Sequence, residues 1–200
     1  MVKKIIISNS IRTIRRYYPN YSDEDIEKIQ YGLESIYLSL TKVIVILLLS
    51  IFLNIFKETI ITLLLFNILR TTAFGIHASK SWICWITSVP TFIGIPLICK
   101  YITFPIYILL IIASISLINF ILFAPADTVK RPLIRKKRRI IYKVLTVIIG
   151  IIYLTIIIIC KNNFIQNCLS ASMLIETILI SPLTYKIFKM PYNNYKSYGK

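Results

Sequence analysis

Long apolar runs without alternation constrain this chain more than any other feature. Residues 43–53 read VIVILLLSIFL and residues 106–123 read IYILLIIASISLINFILF. A strand of a membrane barrel alternates apolar and polar residues, and these runs do not. Spanning a bilayer as a helix takes about 20 mostly apolar residues. Several stretches approach or exceed that length, and the chain as a whole is 56% hydrophobic over 200 residues. The expected fold class is therefore all-α: a polytopic membrane protein with about six transmembrane or half-membrane helices. The segments are expected at 36–56, 59–69 (reaching 74 at most), 82–99, 101–123, 140–160 and 168–183. The domain plan that follows is a cytoplasmic interfacial region at 1–33, a six-segment transmembrane domain at 34–185 and a basic cytoplasmic tail at 186–200.

The N-terminal region precedes the first span. Ile7, Ile11, Ile14 and Tyr18 recur at helical spacing, with Lys4, Arg12, Arg15 and Arg16 between them. That pattern predicts an amphipathic helix lying in the membrane interface. No signal peptide is expected, because the apolar stretch after Lys4 is too short for one. Ser22 is placed to cap a following helix, and Asp23, Glu24 and Asp25 load its first turn with the sign of charge the helix dipole favours.

The formal net charge is +16, which raises the question of nucleic acid. The charges sit between apolar spans, where loop orientation and anionic lipid account for them, so no nucleic acid partner is expected. Lysines and arginines concentrate in three places. They are the N-terminal region, the loop with Lys130, Arg131, Arg135, Lys136, Lys137, Arg138, Arg139 and Lys143, and the C-terminus with Lys186, Lys189, Lys196 and Lys200. Six spans put all three on one side, so charge and parity agree on cytoplasmic termini in a multi-pass cell-membrane protein. The stretch 70–80 falls on the same side.

The second segment is too short. Eleven apolar residues rise only about 16 Å as a helix, roughly half the hydrocarbon thickness. To span, it must carry Arg70 into the membrane, at a cost of at least about 2.5 kcal/mol unless a partner or wet cavity receives it. Glu34, Glu58 and Glu176 are the candidate partners, with Glu34 favoured by its place at the end of the first span.

Candidate chemistry converges on GIHASKSWIC, residues 75–84, which holds the single histidine and one of four cysteines. One histidine excludes a zinc protease of the HExxH design, and no metal or other cofactor is expected. The three aspartates, Asp23, Asp25 and Asp127, lie outside the spans and cannot form an intramembrane aspartyl dyad. Cys160 and Cys168 flank one short loop and are placed for a bridge, although lone membrane cysteines act mostly as small hydrophobes. A serine–histidine protease stays open on composition, since serines are many, but no GxSxG elbow appears. His77 and Cys84 also survive, as an imidazole and a thiol whose proton it can take. Seven residues of straight helix would separate them by about 10.5 Å along the axis, whereas a proton transfer needs about 2.6–3.2 Å. The pair works only if the backbone turns between them. Gly75 can break the helix, and Ser79 or Ser81 can cap a new one, leaving Cys84 in a first turn where the dipole favours thiolate. The bland alternative is a polar anchor and a packing cysteine.

The stretch LRTTAFGIHASKSWICWITS resembles the signature of the accessory gene regulator protein B family, with Arg70, Gly75, His77 and Cys84 at the family's positions. YGLESIYLSLTK and FAPADTVKRPL are similar as well, so the likeness covers most of the chain. The resemblance implies a membrane cysteine endopeptidase that processes a quorum-sensing autoinducer propeptide. Cys84 and His77 would be catalytic, and the acyl-enzyme would pass to an internal peptide thiol to close a thiolactone. It also implies a homodimer. Supporting roles fall to Arg70, Gly75 and Glu34, with Arg70 either binding a tail carboxylate or pairing structurally. Lys80, Arg135, Lys136, Lys137, Arg138 and Arg139 could dock the acidic propeptide tail, or touch anionic membrane lipid. The competing class is a small non-enzymatic membrane transporter or scaffold, suggested by Pro90, Gly94, Pro96 and Pro105.

Overall fold

The computed structural model describes residues 2–76, 81–128 and 132–198, and among them helices carry the whole architecture. The chain divides into two compact units, residues 1–49 and 50–200.

The first unit holds α1 (Val2–Tyr17) and most of α2 (Asp23–Phe52). α1 is the helix its spacing predicts. Ser22 caps α2, its Oγ accepting from the Asp25 N–H at 3.2 Å, and three acids fill the first turn. The expected boundary at residue 36 is absent, because the polar second element and the first span form one 30-residue helix. Arg15 joins Asp23 at 2.7 Å across the intervening turn.

The second unit contains α3 (Phe56–Ala73), α4 (Ser81–Val89), α5 (Ile95–Tyr101), α6 (Ile106–Phe123), α7 (Lys136–Ile159), α8 (Asn163–Ile180) and α9 (Pro182–Ile187). α4 and α5 are joined by a π-helical turn at Pro90–Gly94. A proline that cannot donate to the ladder is a recognised cause of such a local widening. The stretch nevertheless continues from Trp82 to Tyr101 and is long and apolar enough to cross a membrane, as are α2, α6, α7 and α8. α3 is not in that set, in keeping with the short second segment.

α8 is the central helix of this unit. It packs against α3, α5, α6 and α7, and 44% of its apolar window is buried against 22% for α6 and for α7. The core between them is built from Leu69, Leu109, Phe120, Tyr153, Ile157, Leu169, Met173 and Ile180. Many large apolar residues on the outward faces remain exposed, including Leu64, Ile111, Ile118, Ile148 and Ile158. In water such a surface would be unfavourable, whereas lipid tails are its natural solvent.

One sequence expectation changes. KNNFIQN reads as a polar break, yet its second half opens α8. Asn162 caps it, accepting from Ile165 N–H at 3.2 Å. Asn167 is buried and donates to the carbonyls of Ile102 at 2.7 Å and Cys99 at 3.3 Å. Cys160 and Cys168 do not bridge. Cys168 lies instead against the Thr62 hydroxyl at 3.4 Å, and no disulfide forms among the described residues.

Candidate active site

The helix break expected before Cys84 is present and begins one residue early, at Phe74. α3 stops at Ala73. Phe74 takes φ 66° and Gly75 φ 84°, and α4 starts at Ser81. Positive φ is natural for glycine, but for phenylalanine it is an outlier that the surroundings must enforce. They do so from both sides. The Phe74 ring packs edge-on against Tyr142, with centroids 4.9 Å apart. Its N–H donates to the Arg70 carbonyl at 3.2 Å.

Residues 73–76 then pass between two other segments. Ala126 N–H donates to Ala73 O at 2.9 Å, and Gly75 N–H donates to Ala126 O at 2.8 Å, a short parallel bridge. Ile76 N–H donates to Leu179 O at 3.0 Å. That carbonyl is in the last turn of α8, where helices leave acceptors without intrahelical partners. Gly75 is a glycine for a second reason besides φ. A Cβ there would meet Arg70 Nη1 at 2.6 Å and Leu179 O at 2.8 Å.

Arg70, in the last turn of α3, closes this arrangement from inside. Its Nη1 faces Glu176 Oε1 of α8 at 3.4 Å, and its Nη2 donates to Gly75 O at 3.4 Å and to Ile76 O. Arg70 is 15% exposed and Glu176 fully buried. This corrects the preference for Glu34 as the arginine's partner. Glu34 is held in the first unit by Lys3 at 2.6 Å. The packing of α3 on α8 brings Glu176 to Arg70.

The 124–127 stretch is fixed in turn by the C-terminal region. The Tyr185 hydroxyl donates to Ala126 O at 3.1 Å and Asp127 O at 3.0 Å. Burial pushes this phenol up from its ordinary range, so it stays a donor at any physiological pH. The buried Asp127 carboxylate accepts from the N–H groups of Asn194 and Tyr195, both at 2.9 Å, and of Leu133 at 3.3 Å. Charge-assisted bonds of this kind are what a buried carboxylate needs. Neither Tyr185 nor Asn194 carried any sequence signal of this role.

Cys84 lies in the first turn of α4 and is half-buried. His77, Ser79 and Lys80 lie outside the described residues, as do Lys130 and Arg131. Lys136, Lys137, Arg138 and Arg139 open α7, with Arg135 just before it. Cations at a helix N-terminus oppose its dipole, so this cluster favours an anion beside it. Arg139 stacks on Tyr195, its guanidinium carbon 3.5 Å from the ring centroid.

These features define a helical membrane protein in which a broken helix precedes a thiol near the start of α4. The family model for accessory gene regulator B matches residues 7–180, and the chain belongs to that family. It is 35% identical to an AgrB-like protein of Clostridium acetobutylicum over 86% of this chain and 83% of the relative. It is 31% identical to an AgrB-like protein of Listeria monocytogenes strain EGD-e, over 88% and 86% of the two chains. Accessory gene regulator protein B of Staphylococcus aureus strain JH9 is 31% identical over 79% of this chain and 83% of its own length. No solved structure is significantly similar.

Proposed function

We propose that this protein is a membrane-embedded cysteine endopeptidase that removes the C-terminal tail of an autoinducer propeptide and passes the remaining acyl group to an internal peptide thiol. The observation that carries this reading is the restart of the helix. α3 ends at Ala73, and Phe74 and Gly75 take positive φ, so no single unbroken helix runs from Arg70 into the helix that carries Cys84.

The reaction would run in two balanced steps. The Cys84 thiolate attacks the carbonyl carbon before the tail, with His77 having accepted the thiol proton. His77 returns that proton to the leaving amine as the C–N bond breaks, and an acyl-thioester remains on Cys84. The peptide's own cysteine then attacks this thioester, its proton passing to the Cys84 sulfur, and a thiolactone closes. Thioester exchange is nearly balanced, whereas hydrolysis runs strongly downhill. Water must therefore be kept out and the peptide thiol held close. Cationic side chains at the start of α7 would steer the acidic tail from the cytoplasmic side, or hold anionic lipid there.

The test compares cells carrying the protein and its propeptide with cells carrying Cys84→Ala or His77→Ala, by mass spectrometry of the propeptide. Cleavage should vanish in both. Retention of cleavage in either would refute the reading and return the transporter or scaffold class to favour. In the unmodified protein, iodoacetamide near neutral pH should label Cys84 before Cys99, Cys160 or Cys168.

A further inference from the structure

We propose that Glu176 is a positioning residue for the thiol chemistry: through Arg70 it fixes the carbonyls that lead into His77. The proposal rests on the endopeptidase reading and adds a group from the far side of the fold.

The argument starts from the way the guanidinium is divided. An arginine that only neutralises a buried carboxylate does best with both nitrogens on both oxygens. Here one nitrogen faces Glu176 Oε1, and the other is spent on Gly75 O and Ile76 O. Among the described residues, Glu176 Oε2 has no hydrogen-bond partner although it is buried. A carboxylate in that state is an expensive way to tie two helices. The arrangement is better suited to aiming Arg70. The Ile76 carbonyl is half of the peptide bond to His77, and peptide bonds are planar. A grip on that oxygen therefore constrains where the next residue begins. Glu176 holds the guanidinium from behind so that its other edge meets Gly75 and Ile76.

Glu176→Gln keeps the shape and removes the charge. In membranes containing the full-length protein, this variant should accumulate normally. Its kcat for propeptide cleavage should fall about tenfold with KM little changed, as for a group acting on the reacting geometry. The pH profile of Cys84 alkylation by iodoacetamide should move toward that of His77→Ala. Glu176→Asp, which keeps the charge, should recover part of the rate. Wild-type cleavage and an unmoved alkylation profile in Glu176→Gln would overturn the proposal. If Glu176→Gln does not accumulate, the double variant Arg70→Met/Glu176→Met removes both charges together. It should restore accumulation, because paired apolar replacements are tolerated where single deletions are not, yet leave cleavage depressed. A double variant that cleaves normally, or that also fails to accumulate, assigns the pair a purely structural role. Failure of the underlying reading shows elsewhere, as cleavage that survives Cys84→Ala or His77→Ala.

Discussion

The two ends of the second unit each carry one ion pair between helices, and the pairs are built differently. At one end Lys100 meets Glu58 at 2.9 Å and donates to Asn54 O at 2.9 Å, with both charged side chains partly exposed, 30% and 20%. Asn54 takes a positive φ of 54° there, a conformation asparagine tolerates. At the other end Arg70 meets a Glu176 that is fully buried, and the residues in positive φ are Phe74 and Gly75. The first end is an ordinary closure of helix termini by side chains. The second holds an unfavourable backbone through bonds from segments far apart in the chain. Stored strain of that kind persists only where the surroundings over-determine it, and it concentrates at working sites.

The sharpest way to break the contrast is Gly75→Ala. The added methyl would require positive φ at a non-glycine and would press on the Leu179 backbone carbonyl at 2.8 Å, which cannot swing aside. We expect propeptide cleavage to fall about a hundredfold, since a displacement of about 1 Å can cost that much. Thermal stability in detergent should fall by about 1–3 kcal/mol. A variant that cleaves at the wild-type rate would show that the close approach to α8 is incidental.

Asp127 tests how far the strained end depends on the C-terminal region. Asp127→Ala leaves the N–H groups of Leu133, Asn194 and Tyr195 without their acceptor. Each buried unsatisfied donor costs about 1–3 kcal/mol, less where water can enter. Residues 190–198 should become sensitive to limited proteolysis, and cleavage should fall about tenfold through loosening of Ala126 against Gly75. If the tail stays protected, Tyr185 and the Arg139–Tyr195 stack suffice to hold it.

The sequence exposed one side of this contrast and hid the other. Apolar runs and Gly75 made the helices and their break legible, because those signals are local. Arg70's need for a carboxylate was legible too, from the shortness of the second segment. The choice of Glu176 was not, since it depends on α3 packing against a helix 106 residues away. Residues 186–200 read as a basic tail because lysines dominate them. Their ties run through Asn194 and Tyr195 backbone groups, which composition cannot show. Asn167 was misplaced for the same kind of reason. A polar residue in a helix signals a loop until its distant carbonyl partners are known.

The smallest expected effect lies at the ordinary end, and it sets the baseline for the others. Lys100→Met removes the cation while keeping most of its apolar stem. Glu58 is then left with solvent access, so the loss of stability should be small, as for exposed pairs generally. Propeptide cleavage should remain within about twofold of wild type, measured beside Glu176→Gln in the same membranes. The comparison turns on this difference. A charge removed from a partly exposed pair can be replaced by water, whereas the charge of the fully buried Glu176 cannot. If Lys100→Met cripples cleavage as severely as Glu176→Gln, the two ends are mechanically coupled, and burial of the pair no longer explains why one end would carry the chemistry.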